Sequence, residues 1–450
     1  MARTAAEAIN SREMGASSPS SCASPSVSAT PSSALSLAEV THDMYPLHLI
    51  PRSLDPQMIM GNSLLRQPGA LRLFHHYLDR TNRALAICQD TKNPYLAELV
   101  PMAMSSQLIL NGILACSGIH YSVLSGLPAD ESTWFHYGQA VQGAKYGLTK
   151  LMDGQTSMLV PLLTTAIILC MAENFRENSG VLALQHLTAA RSLLQEVLKL
   201  PVSQLSRETR AFLIERYTYS MILAHVTMGP EADSWVLDDA AALFPLLQET
   251  AVNSSAMLGC VHELFQLIPS VSILARRRQA ELQSQSTGAC ETDAMFFGLY
   301  STIQSWQPTS DDHVNNLCGR FYQQALLVYL ASSLEGGMLE DGADGSCYSP
   351  PVQAAFDEFI PLLASIMPGA SISTTLGWPL AIFGSCARTP EHRSIISDKL
   401  NMLSDAYSAK SVRETKTVLE KLWARDEPSM ANPMSLEYIM KSENMTVLFL

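Results

Sequence analysis

From about residue 71 onward, apolar side chains recur at three- and four-residue intervals, the spacing of one helix face. Tyr137, Val141, Ala144, Leu148 and Leu151 form one row, opened by Pro128-Ala129-Asp130 and closed by Gly154. A second row, Leu182, His186, Ala189, Leu193 and Val197, runs to Leu200-Pro201. Residues 208–228 predict another helix, stopped by Gly229-Pro230. Val314, Leu317, Phe321, Ala325 and Val328 mark a further one, and Ser349-Pro350 opens the next, with proline where a first-turn N–H has no partner anyway. The polar stretches 276–293 and 335–351 read as surface loops. No run alternates with period two between hairpin turns, and no repeat of 34 or 40 residues appears. The pattern predicts an all-α protein, a large irregular multi-helix domain.

Two stretches stand out because they carry no charge. Between Glu98 and Asp130 there is no charged residue, and the stretch 93–126 predicts a helix that is apolar all round. Leu108, Gly112, Ala115 and Ile119 lie on one side, and Ile109, Ile113, Cys116 and His120 on the adjacent one. Pro101, Ser105, Ser106, Gln107, Asn111, Ser117 and His120 would need hydrogen-bond partners in hydrocarbon, so the reading is a central helix wrapped by others, with no membrane. The run 157–172 is short for a span and holds Pro161, and it reads as a second buried helix.

Composition narrows the picture. At 450 residues, with 47% hydrophobic and 16% charged, the chain can bury a large core. Its N-terminal part is different: residues 1–43 are a Ser/Pro-rich leader whose stretch 15–36 holds no charge, and it is expected to be a disordered linker. A net charge of −13 argues against a body that grips a phosphate backbone. Arg276-Arg277-Arg278 fits a solvated face better than an import signal. The nine cysteines are scattered with no CxxC, so no zinc cluster or redox motif is written, and Cys88, Cys116 and Cys170 read as reduced packing residues. No basic-then-apolar signal opens the chain, so a reducing compartment is expected, and Asn253 and Asn444, which match a glycosylation pattern, carry no weight.

Candidate chemistry is sparse. His262-Glu263 begins HELFQ, which lacks the second histidine of a zinc-protease helix, and there is no GxSxG, GxGxxG or phosphate loop. Asp311-Asp312-His313 has paired acids, but position 315 is Asn rather than a third ligand, and acids suit a helix start. His75-His76 diverge around a helix, so one is expected to pack and the other to face out. His186 lies in an apolar row and reads as a hydrogen-bonded core histidine, and the 21 methionines read as gap-fillers. No catalytic, cofactor-binding or metal residue is assigned, no cofactor is expected, and the chain is not expected to be an enzyme.

Order and spacing carry a resemblance. LFHHYLDRTNRAL (73–85) precedes Asn93-Pro94-Tyr95, then Pro101-Met102-Ala103, then Ala115-Cys116-Ser117-Gly118-Ile119-His120. Later, LGWPLAIFGSCARTPEHRSIISDKLNML (376–403) leads to VRETKTVLEKLWARDE (412–427), an amphipathic helix with Val412, Thr415, Leu419 and Leu422 inward. In this order the segments, over about residues 70–427, resemble the fungal-specific transcription factor domain, the helical regulatory region usually found downstream of a zinc binuclear cluster.

The resemblance implies a regulatory body over residues 44–427, followed by a tail, 428–450, whose VLFL end is expected to dock. It also implies a nuclear transcriptional regulator of metabolic or secondary-metabolite genes, with the transcriptional machinery or a DNA-bound protein as partner. Homo- or hetero-oligomers and a small-molecule effector fit the same family. Relatives read DNA through six cysteines and two zincs, whereas here only Cys22 precedes Cys88. Direct DNA contact by this chain is therefore not expected: a partner supplies it, or a cluster lies upstream. Two other readings stay open, a cytoplasmic helical scaffold and a Mg-dependent enzyme resembling terpene synthases through Asp311-Asp312.

Overall fold

Prolines and small polar residues start the helices. The structure, a computed structural model, describes residues 59, 61–87, 93–250, 257, 261–284, 289–308, 312–333, 347–367, 369–407, 410–425 and 427–449. The leader 1–43, Cys88, Asn253, Asp311 and most of the 335–351 loop lie outside the described residues. Pro68 opens α1 (Pro68–His76), which runs through a π turn, Tyr77–Thr81, into a short turn, Asn82–Ala84. Asn93 caps a turn begun by Pro94, and α2 (Leu99–Ser105) follows. Ser106 caps α3 (Gln107–Ser125), and Gly126, at φ 67°, ends it. Asp130 caps α4 (Glu131–Met152) by accepting from Thr133 N, and α5 (Leu159–Asn174) keeps Pro161 in its first turn, where its missing N–H does no harm. Next come α6 (Gly180–Val197) and α7 (Arg207–Met228), the latter capped by Ser206 and stopped at Gly229, φ 74°. The remaining helices are α8 (Asp233–Thr250), α9 (Ile268–Ser284), α10 (Ala289–Ser305), α11 (His313–Ser332) and α12 (Pro350–Ala364). The chain closes with α13 (Gly377–Cys386), α14 (Pro390–Tyr407), α15 (Lys410–Trp423) and α16 (Met434–Ser442). No strand occurs among the described residues.

Two expectations need correction. The stretch 93–126 is not one helix, because Ser106 is extended at φ −139° and ψ 111°. Only in that conformation does its Oγ accept from the Ile109 N–H at 3.5 Å, so a good N-cap residue wins over helix continuation. The 276–293 stretch is not a loop either: α9 continues to Ser284 and α10 begins at Ala289. Its Arg, Gln, Ala, Glu and Leu residues are strong helix formers.

Three helices are buried on all sides and the others wrap them. Residues 109–120 of α3 and 162–173 of α5 are wholly buried. The segments Gln107–Ser125 and Thr156–Asn174 are long and apolar enough to cross a membrane, yet α3 packs on α1, α4 and α5, and α5 packs on α3 and α6. Every residue from 212 to 226 of α7 is buried among α5, α6, α8, α9 and α16. In the second half α11 is central, against α9, α10, α12 and α13, with Trp378 stacked 5.7 Å from Tyr322. The apolar C-terminal end docks as expected: Val447, Leu448 and Phe449 are buried, and the Thr227 hydroxyl donates to the Val447 carbonyl.

The docked end leaves no room at the start of α6. A Cβ on Gly180 would lie 1.9 Å from the Thr446 carbonyl oxygen, so the backbone itself would have to move. Gly180→Ala is therefore expected to lower the stability measured by urea unfolding by about 1–3 kcal/mol. Gly138→Ala, at an exposed α4 position with nothing within 4 Å, should raise it by about 1 kcal/mol or less. Equal effects of the two substitutions would contradict the packing of the C-terminal end on α6.

Candidate functional site

The segments that carry the family resemblance meet in one buried seam. The Ser117 hydroxyl donates to the Leu73 carbonyl at 2.6 Å, pinning α3 to α1. Thr81 Oγ1 and His76 Nε2 lie 3.0 and 3.3 Å from His120 Nδ1. The π turn widens the backbone at Tyr77–Thr81, and the Asn82 amide fills the gap by donating to the Tyr77 and Leu78 carbonyls, each at 2.7 Å. Asn93 then donates to Asn82 Oδ1 at 3.0 Å and accepts from Tyr95 N at 2.9 Å, while the Tyr77 hydroxyl donates to the Tyr95 carbonyl at 2.9 Å. Thr81, Asn82, Asn93, Ser117 and His120 are all buried. Their hydrogen bonds run to one another and to nearby backbone, so the arrangement holds α1, α3 and the Asn93 turn together.

The single candidates resolve differently from one another. His75 and His76 are both half-buried, so neither simply faces out: the π turn draws His76 toward His120 and Tyr121. Burial lowers the pKa of His75 and lowers that of His76 to about 4, against the pull of Asp79. His186 Nε2 is buried without a hydrogen-bond partner, contrary to the hydrogen-bonded reading. It borders a cavity of about 20 Å³ whose walls, including Leu148, Leu162 and Leu193, are apolar, and burial pushes its pKa down to about 4. Asp312 caps α11 by accepting from Val314 N at 2.8 Å, the helix-start role expected of it. The arginine triplet is not a solvated face. Arg276 pairs with Asp233 and lies 3.1 Å from His225 Nε2, Arg278 pairs with Asp293 at 2.7 Å, and Arg277 is exposed. Among the described residues no group of three His, Cys, Asp or Glu is placed to hold a metal.

The residue that sequence reasoning missed is Arg216. It sits mid-helix in α7 at 4% exposure, and its Nε and Nη1 have no hydrogen-bond partner among the described residues. Its guanidinium carbon lies 5.4 Å from the Tyr219 ring. The nearby acids are engaged elsewhere. Glu173 takes Arg176 at 2.7 Å and the Tyr137 hydroxyl at 2.5 Å, and Glu215 accepts from Met257 N at 2.9 Å. Arg216 lines a cavity of about 60 Å³ whose walls come from the Asn82–Ala84 turn and its flank, α5, α7, the Ser371–Thr375 turn, α14 and α15. Ser373 and Ser411 line the same cavity, and their buried hydroxyls also lack partners. A buried charge with no counter-charge costs on the order of several kcal/mol. The signal was available in sequence, since Glu215-Arg216 are the only acidic or basic side chains, histidine aside, in the stretch Phe212 to Val226.

Histidine burial sets a pH dependence. The folded pKa of His186, about 4, lies below its usual value of 6.5, so between these limits only the unfolded chain takes up the proton. The contribution is complete above pH 6.5 and is lost as pH falls toward 4, at about 1.4 kcal/mol per pH unit for this histidine. Urea midpoints should therefore fall between pH 7 and 5, and His186→Phe should make the fall shallower. An unchanged slope in the variant would contradict the buried neutral imidazole.

Comparison with known proteins yields one family. Residues 72–450 match the fungal specific transcription factor domain, from α1 through α16 to the docked C-terminal end. No match was found among curated proteins or among solved structures. The matched family is regulatory and non-enzymatic. With the match spanning most of its length, the chain belongs to the fungal specific transcription factor domain family.

Proposed function

We propose that this chain is a nuclear transcriptional regulator of metabolic or secondary-metabolite genes, brought to promoters by a DNA-bound partner and answering to a small-molecule effector. The family match over residues 72–450 carries the reading. The charge distribution supports recruitment through protein contacts. The net charge is −13, and two arginines of the one basic triplet are taken up by Asp233 and Asp293 within the fold. The turn between α3 and α4 exposes Leu127, with Leu124, Trp134 and Phe135 also exposed on the flanking helices, apolar surface of the kind that partner proteins cover.

Chromatin immunoprecipitation of the tagged chain tests the reading. Discrete promoter peaks are expected, and they should vanish when the DNA-bound partner recovered with the chain is deleted. Absence of enrichment, with the tag in the cytoplasm, would overturn the regulator reading in favour of a helical scaffold.

A further inference from the structure

We infer that the cavity beside Arg216 is a binding site for a small aliphatic monocarboxylate. Its lining holds buried polar groups without a hydrogen-bond partner among the described residues: the guanidinium of Arg216 and the hydroxyls of Tyr219, Ser373 and Ser411. Buried polar groups in folded proteins are as a rule hydrogen-bonded, so such a cluster on one cavity marks where a partner belongs. The cation sets the sign of that partner. A guanidinium presents a planar fork of donors that matches a carboxylate with two parallel hydrogen bonds, and a serine hydroxyl can donate to a remaining lone pair. One arginine balances one negative charge, which favours a monocarboxylate over a doubly charged phosphate. The rest of the lining is largely apolar, with Leu85, Met171, Phe175 and Val412 around the polar groups, so the remainder of the ligand is a short hydrocarbon. A volume of about 60 Å³ restricts it to a few heavy atoms.

The cavity's position says what occupancy would do. Arg216 and Met171 come from α7 and α5, whereas Ser373 and Ser411 belong to the Ser371–Thr375 turn and to α15, some two hundred residues further along. A carboxylate held between Arg216 and Ser411 joins the first half of the body to its closing helices, and its binding energy stabilises that junction. The inference deepens the effector part of the proposed function, yet binding itself does not depend on the chain acting at promoters.

The test is a thermal-unfolding titration of the full chain with sodium propionate, acetate and formate. The controls are propionamide, which keeps the shape without the charge, and sodium chloride and sulfate at matched ionic strength. A saturable rise in Tm with at least one carboxylate is expected, and none with the amide or the inorganic salts. Arg216→Met should retain the fold, because it replaces an uncompensated charge by an apolar chain of similar reach, and should weaken the response about tenfold or more. Should that variant not fold, Ser411→Ala serves instead, with affinity expected to fall about threefold to tenfold. Three results would each overturn the inference: no response to any carboxylate, an equal response to propionamide or chloride, or a response that survives both substitutions. Loss of promoter peaks together with an intact carboxylate response would overturn the regulator reading and leave the site standing.

Discussion

A helix buried on every side has no water at hand for the polar atoms it carries, so most of them need partners inside the protein, and the fold is arranged around that constraint. α3 brings Ser117 and His120 into the interior, and they are met by the Leu73 carbonyl, Thr81 and His76. An unmatched buried donor or acceptor costs about 1–3 kcal/mol, comparable to the gain from burying a large apolar side chain. The chain meets this demand locally: a π turn at Tyr77–Thr81, two asparagines and one tyrosine hydroxyl close the hydrogen bonds between α1, the Asn93 turn and α3. α5 carries mostly apolar atoms and needs little of this, whereas α7 carries Glu215, Arg216, Tyr217 and Tyr219 into the same interior. Tyr217 donates to Asp239 at 2.7 Å, which also holds Arg191, and that pairing ties α7 and α6 to α8.

Much of this was legible before the structure. Apolar rows marked α4, α6 and α11, because helices that bury one face leave a period of three to four residues in their sequence, and Gly229-Pro230 marked the end of α7. The charge-free stretches pointed to α3 and α5 as central. What failed has two physical origins, local preferences that compete and contacts between atoms distant in sequence. The break at Ser106 is local, an N-cap winning over continuation, and so is the helix-forming composition of α9, whereas the burial of its arginines follows from their pairing with Asp233 and Asp293. His186 lies in an apolar row, but whether its Nε2 has a partner is set by α4 and α5 across the cavity. Arg216 was passed over because charged residues within a helical row usually face solvent, and only the packing of α5, α14 and α15 around α7 shows otherwise.

The division of labour that results separates the residues that identify the family from the place where chemistry is left unsatisfied. Asn82, Asn93, Ser117 and His120 serve the fold: their hydrogen bonds are made among themselves and with nearby backbone. Arg216, Ser373 and Ser411 are the opposite case, polar groups enclosed without partners at the meeting of early and late helices. A regulatory body needs both, a rigid frame and a junction whose stability can be changed.

The claim that the identifying residues form one cooperative buried seam is tested most directly by a double-mutant cycle. Asn82→Ala, Asn93→Ala and the double variant would be compared by urea unfolding of the full chain. Each single substitution should cost about 1–3 kcal/mol, and the pair should show a coupling of about 1 kcal/mol or more. Strict additivity, within about 0.3 kcal/mol, would mean that the two asparagines act independently and would contradict the account.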